Sequence, residues 1–192
     1  MTPLRARLRD ALGQTEGRGH ARARLLAAAV RVVAECGVVE MRVEDVLQAA
    51  DVSRRTFYQH FTDKQAVVHA LFELVTEHLA ATFAAAAAAH PRDPARAIDE
   101  ALSIYLELHR TDRDIVRALL HEALRSESPL YSARMRFRRA IAATLERALG
   151  VAPLVAVGLV SAVEGISLEL LEQRSPDLAA AHAAVTQLIA RV

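Results

Sequence analysis

The stretch Val43-Glu44-Asp45-Val46-Leu47-Gln48-Ala49-Ala50-Asp51-Val52-Ser53-Arg54-Arg55-Thr56-Phe57-Tyr58-Gln59-His60-Phe61-Thr62-Asp63-Lys64 decides how the rest of the chain is read. Val43, Val46, Leu47 and Ala50 follow the i, i+3, i+4, i+7 spacing of a two-turn amphipathic helix. Ala50-Asp51-Val52 makes a tight connection, and Ser53 supplies a hydroxyl where the next helix needs an N-cap. From Arg54 to Phe61 a second short helix turns Phe57 and Phe61 one way and Arg55 and Gln59 the other. A helix pair with an outward polar edge on its second member is the geometry that the major groove of duplex DNA admits, because only that edge meets base pairs.

Upstream, Leu25, Ala29, Val32, Val33 and Cys36 share one face of a first helix over about residues 20–36, and Gly37 ends it as a C-terminal cap. Downstream, Asp63 caps a long fourth helix carrying Val68, Leu71, Phe72, Val75, Leu79 and Phe83. Short breakers then divide the chain: His90 to Pro94, Thr111-Asp112, Ser126 to Pro129, Gly150 to Pro153, and Ser175-Pro176-Asp177. The reading is an all-α fold of about nine helices: residues 1–19 a flexible basic arm, 20–64 a three-helix helix-turn-helix domain, and 65–192 a second helical domain.

Composition agrees. With 7 Gly and 6 Pro in 192 residues, and no Asn-Gly or Asp-Gly pair, hairpin signals are missing. Cys36 is the only cysteine, so no internal disulfide forms, which fits a reducing cytosol. Its place in an apolar helical pattern reads as a small buried hydrophobe. The N-terminal residues, with Arg5, Arg7 and Arg9, lack the apolar run of a secretory signal. Residues 152–171 have the length of a membrane span, but Glu164 and Glu169 interrupt them, and a buried helix is the better reading. No membrane association and a cytoplasmic location are expected. Charge divides unevenly: residues 1–64 hold 11 Lys/Arg against 8 Asp/Glu, and residues 65–192 hold 13 against 15. The basic excess of the first segment has the sign that a polyanionic partner requires.

The run from Val43 to Lys64, preceded by Ala34-Glu35-Cys36-Gly37, resembles the N-terminal domain of the TetR family over about residues 22–72. The resemblance implies a DNA-binding transcriptional regulator, by family default a repressor, that acts as a homodimer on double-stranded operator DNA. It implies phosphate contacts at Tyr58, His60 and Lys64, roles that their chemistry also suits. Arg54, Arg55, Thr56 and Gln59 are the candidates for base edges: Arg pairs bidentately with guanine, Gln with adenine, and the Thr methyl meets that of thymine. Two positions depart from the family pattern. Asp51 stands where Gly is usual in the turn, and Arg42 stands where a Ser or Thr cap is usual, which weakens the cap but adds a cation for phosphate.

The resemblance further implies that the second domain takes a small-molecule effector and dimerises through its last two helices, about residues 153–173 and 177–192. The near-continuous apolar character of helix eight fits a partner surface. Tyr105, His109, Ser161 and Glu164 are polar groups on otherwise apolar faces; they line a ligand pocket or satisfy one another in the core or interface. Arg134, Arg136, Arg138 and Arg139 read as a solvated helix face, with an acidic ligand as the alternative. No catalytic residue, metal site or cofactor is expected. His121-Glu122-Ala123-Leu124-Arg125 begins like a zinc-protease motif but has Arg in place of the second imidazole. The rival readings are a helical protein-interaction adaptor that has lost DNA binding and, behind it, a small helical enzyme.

Overall fold

The computed structural model describes residues 18–192; most of the arm expected over residues 1–19 lies outside them. The described residues form nine helices and no strand: α1 Arg18–Glu40, α2 Val43–Ala50, α3 Arg54–Tyr58, α4 Lys64–Ala89, α5 Pro94–Thr111, α6 Arg113–Leu124, α7 Pro129–Leu149, α8 Pro153–Glu172 and α9 Leu178–Ile189. They fall into two compact units. One holds the described residues up to Leu74 together with Thr111–Tyr131, and the other holds Val75–Arg110 and Ser132–Val192.

The first unit is built around α1, which packs against α2, α3 and α6. Leu25, Leu26, Val33, Met41, Val46, Phe57, Leu71 and Ile115 form its solvent-free interior. α1 does not stop at Gly37. Its backbone breaks there at φ 78° and ψ 173°, a region that essentially only glycine occupies, and one further turn runs to Glu40. Asp45 secures the start of α2 by accepting from the Arg42 backbone N–H at 2.9 Å, while Arg42 itself contributes no side-chain cap. Glu44 and Asp45 in that first turn also complement the positive end of the helix dipole. Asp63 Oδ1 caps α4 by accepting from the Ala66 N–H at 2.8 Å, as its position predicts.

The second unit joins α5, α8 and α9 through a core of Leu102, Leu106, Leu170, Ala181 and Val185, flanked by Tyr105, Val163, Ile166 and Leu178. Asp177 caps α9 through the Ala180 N–H at 2.9 Å. α8 is less buried by its own chain than its apolar sequence suggests. Ala156, Leu159, Ser167, Leu170 and Leu171 face inward, whereas Leu154 is 84% exposed and Val155 and Val157 are also open to solvent. By length and composition both α4 and α8 could cross a membrane.

Candidate nucleic-acid interface

Between α2 and α3 the chain turns through Asp51, whose φ of 50° and ψ of 55° are left-handed. Most side chains resist this conformation; Asp tolerates it better than most. Two arginines of α1 hold the turn. Arg24 Nη2 donates to the carbonyls of Ala50 and Asp51 at 2.5 and 2.9 Å, and Arg31 Nη2 donates to that of Ala49. Guanidinium groups thus meet the carbonyls that the end of α2 leaves unpaired, where the helix dipole is negative.

Ser53 caps α3: its Oγ accepts from the Thr56 N–H at 3.1 Å and lies 2.9 Å from Thr56 Oγ1. The regular helix is shorter than the eight residues expected, ending at Tyr58, after which Gln59 and His60 form a turn. Helical hydrogen bonding still reaches Phe61, whose N–H donates to the Phe57 carbonyl at 2.9 Å. Both aromatic rings therefore point inward as the sequence reading requires: Phe57 is 0% and Phe61 6% exposed, with ring centroids 5.9 Å apart. The Tyr58 ring stands edge-on to Phe57 at 5.3 Å and remains half exposed.

This scaffold leaves Arg55 and Gln59 exposed. Neither side chain makes a hydrogen bond to the described residues. The other candidates differ in their engagement. Arg54 Nη2 is paired with Glu44 Oε1 of α2, and hydrogen bonds from its own backbone N–H and from Arg54 hold the Glu44 carboxyl below the ordinary carboxylate range. Thr56 keeps its hydroxyl on Ser53, and His60 is half-buried. Arg42 is exposed at the start of α2. Lys64 does not stand free: its Nζ donates to the carbonyls of Val38, Val39 and Met41 at 3.3, 2.8 and 3.0 Å. These contacts occupy all three ammonium hydrogens at the end of α1. Sequence reasoning missed Arg24, Arg31 and Glu44. Their partners lie 10 to 27 residues away across a turn or between helices, where no single helical period points to them.

Cys36 is a correction. It is exposed rather than buried, because the apolar face of α1 reaches its last turn beside an open groove of about 540 Å³ lined also by Val32, Glu35, Glu40, Arg42, Asp45 and Gln48. Partial desolvation there, with the carboxylates of Asp45, Glu35 and Glu40, raises its thiol pKa and keeps it protonated.

In the second unit the four polar candidates form two separate clusters. Tyr105 Oη donates to Ser167 Oγ at 3.1 Å, and the buried His109 meets the same oxygen through Nε2 at 2.5 Å and the Tyr105 carbonyl through Nδ1 at 3.2 Å. Desolvation depresses the pKa of His109, so the ring is neutral, with Nδ1–H donating and Nε2 accepting from Ser167. Ser161 and Glu164 instead meet Arg134 and Arg138 of α7. This corrects the reading of the arginine run as a solvated face: two of its four members turn inward onto α8. No group of three or more His, Cys, Asp or Glu that could hold a metal ion occurs among the described residues.

Comparison with known proteins adds to this geometry. Residues 25–71 match the family model described as bacterial regulatory proteins, tetR family. Over 83 residues the chain is 34% identical to the HTH-type transcriptional regulator EthR of Mycolicibacterium smegmatis, a match spanning 43% of this chain and 38% of that protein. The multidrug binding protein EbrR, solved with imidazole, superposes with a TM-score of 0.67 at 27% identity over 91% of this chain and 96% of its own. SCO7518 of Streptomyces coelicolor A3(2) shares the fold, with a TM-score of 0.72 at 23% identity over 88% and 98% of the two chains. Residues 25–71, the capped helix-turn-helix with its inward aromatics, are thus similar to the bacterial regulatory proteins of the tetR family.

Proposed function

We propose that the chain is a cytoplasmic, ligand-responsive transcriptional repressor that binds double-stranded operator DNA as a homodimer. The observation that carries this is the exposed edge of α3, where Arg55 and Gln59 stand outward over the buried rings of Phe57 and Phe61. Arg55, Gln59 and Thr56 read base edges, with Arg54 beside them on its Glu44 partner. Tyr58, His60 and Arg42 take phosphates. Ser53 and Lys64 hold the segment in place through the contacts described above. An interaction adaptor gains nothing from an outward set of this composition, and a binding protein of this kind performs no catalysis.

Dimerisation falls to α8 and α9, whose outward Leu154, Val155, Val157 and Leu188 a second copy covers. That burial, rather than a lipid phase, accounts for the apolar length of α8. The effector occupies the second unit near Tyr105, His109, Ser161 and Glu164. The 27% identity to EbrR, itself a multidrug binding protein, supports small-molecule recognition. Ligand shifts a two-state equilibrium, acting through the continuous helix α4, which contributes residues to both units, and changes the separation of the two recognition helices. Half-sites lie about 34 Å apart, so a displacement of a few ångströms releases DNA.

Selection of bound sites from random duplex DNA, followed by mobility shift of the selected sequence, tests the reading. A palindromic site bound with log K falling by about 0.9 per phosphate contact against log salt is expected. Indifference to duplex DNA at low ionic strength overturns it.

A further inference from the structure

One cluster in the second unit does not balance its charges. Arg134 and Arg138 stand one turn apart on α7, and both reach Glu164 on α8. Arg134 donates from Nε and Nη2 to the two carboxylate oxygens at 2.6 and 2.5 Å; Arg138 Nη1 donates to Oε2 and Arg138 Nη2 donates to Ser161 Oγ at 2.7 Å. The side chains of Arg134, Arg138 and Glu164 are 13%, 15% and 15% exposed. Arginine does not deprotonate in proteins, so two full positive charges face a single negative one at a part-buried site.

Among the described residues, Glu164 is the one acidic partner of Arg134 and Arg138. Ser161 is neutral and commits its own hydrogen to the Val157 carbonyl at 2.8 Å. Glu164 already accepts on both oxygens. Each guanidinium carries five N–H donors, and each uses two of them in these bonds. Nη1 of Arg134 and Nε of Arg138 are left over. A partly desolvated cation with unused donors carries a cost that an anion accepting from those donors lowers. Planar guanidinium edges suit the paired oxygens of a carboxylate or phosphate and offer no acceptor to a cation.

We infer that Arg134 and Arg138 form a binding site for the carboxylate or phosphate of a small molecule, with Glu164 holding the two guanidinium groups in position. Anion binding stands on the cluster alone; that the anion is the effector rests on the regulatory reading above.

The test uses the full-length chain. Its thermal midpoint is followed at constant ionic strength against inorganic phosphate, against straight-chain carboxylates from butyrate to decanoate, and against the matching primary alcohols. At least one anion is expected to raise the midpoint saturably, by about 3–5 °C at ten times its dissociation constant, while the alcohols raise it far less. The phosphate and carboxylate series separate the two chemistries. Arg138→Gln leaves a neutral Arg134–Glu164 pair; it is expected to keep or raise the ligand-free midpoint and to lose the anion response. If that variant does not fold, Arg134→Gln, which leaves a neutral Arg138–Glu164 pair, is expected to lose the anion response in the same way. No saturable response to any anion, or an undiminished response in Arg138→Gln, overturns the site. Operator release by the same anion in a mobility shift makes it the effector. Anion binding without release removes that role and leaves the site standing, and the thermal response that tests the site itself is read without DNA.

Discussion

The Lys64 ammonium lies 2.8 Å from the Val39 carbonyl oxygen and within reach of two more carbonyls of the same turn. A charge fixed in this way stabilises the protein more than it attracts a phosphate. Lys64→Ala is expected to cost about 1.5–3 kcal/mol in urea unfolding, the range for hydrogen bonds to a charged group. The slope of log K against log salt for DNA binding stays where it was; a slope shallower by about 0.9 would return the ammonium to the nucleic acid.

Arg55 and Gln59 are the opposite case, exposed and without hydrogen-bond partners among the described residues. Arg55→Ala and Gln59→Ala should each leave stability within about 0.5 kcal/mol of the parent. Each should relax discrimination at one position of the selected site by about 1–3 kcal/mol, measured by competition with single-base variants. Equal weakening on all sequences would assign the residue to the backbone instead.

Two backbone positions make a matched pair. A side chain added at Gly37 meets nothing within 4 Å, yet φ there is +78°. Gly37→Ala is therefore expected to destabilise by about 1–3 kcal/mol through strain and not through a clash. At Asp51 the logic reverses. Asp51→Gly relieves a left-handed non-glycine residue and gives up only an exposed 3.4 Å pairing with Arg24. It should stabilise by about 0.5–1 kcal/mol. Denaturant midpoints of the two variants, moving in opposite directions, check both.

His109 gives the fold a pH dependence of definite sign. Burial lowers its pKa in the native state, so the unfolded chain takes up the proton first as pH falls. Its stabilising contribution is complete above the unfolded value of about 6.5 and is lost as pH drops from there through the depressed native value. Unfolding midpoints measured between about pH 7.5 and 5 should decline, and His109→Gln should flatten that decline. An unchanged profile in the variant would locate the dependence elsewhere.

The outward row of α8 yields a prediction on assembly. Leu154→Glu puts a charge where the second copy is proposed to pack and disturbs little within one chain, since Leu154 is 84% exposed. Sedimentation is expected to show a monomer, and operator affinity falls with it because a single recognition helix meets only half a site.

What was legible from the residues was mostly local. Ser53, Asp63 and Asp177 cap the helices they precede because a cap is settled within three or four residues. The inward pair Phe57 and Phe61 follows from a four-residue spacing, and the departure at Asp51 correctly marks the strained point of the turn. What escaped depends on how helices cross. Arg54 meets Glu44 ten residues away, Lys64 reaches back 23 to 26 residues, and Arg134 meets Glu164 thirty residues on. Cys36 shares the period of a buried face but lies where that face runs out into a groove. Periodicity says which way a side chain points and not what stands opposite.

The grip of Arg24 and Arg31 on the carbonyls of residues 49–51 has one last implication. With the first helix tied into the corner between the second and third, the reading helix possesses no private hinge. Under the proposed function, a ligand that releases DNA is expected to move these three helices together, as a change of heading and not a loosening of the reading head.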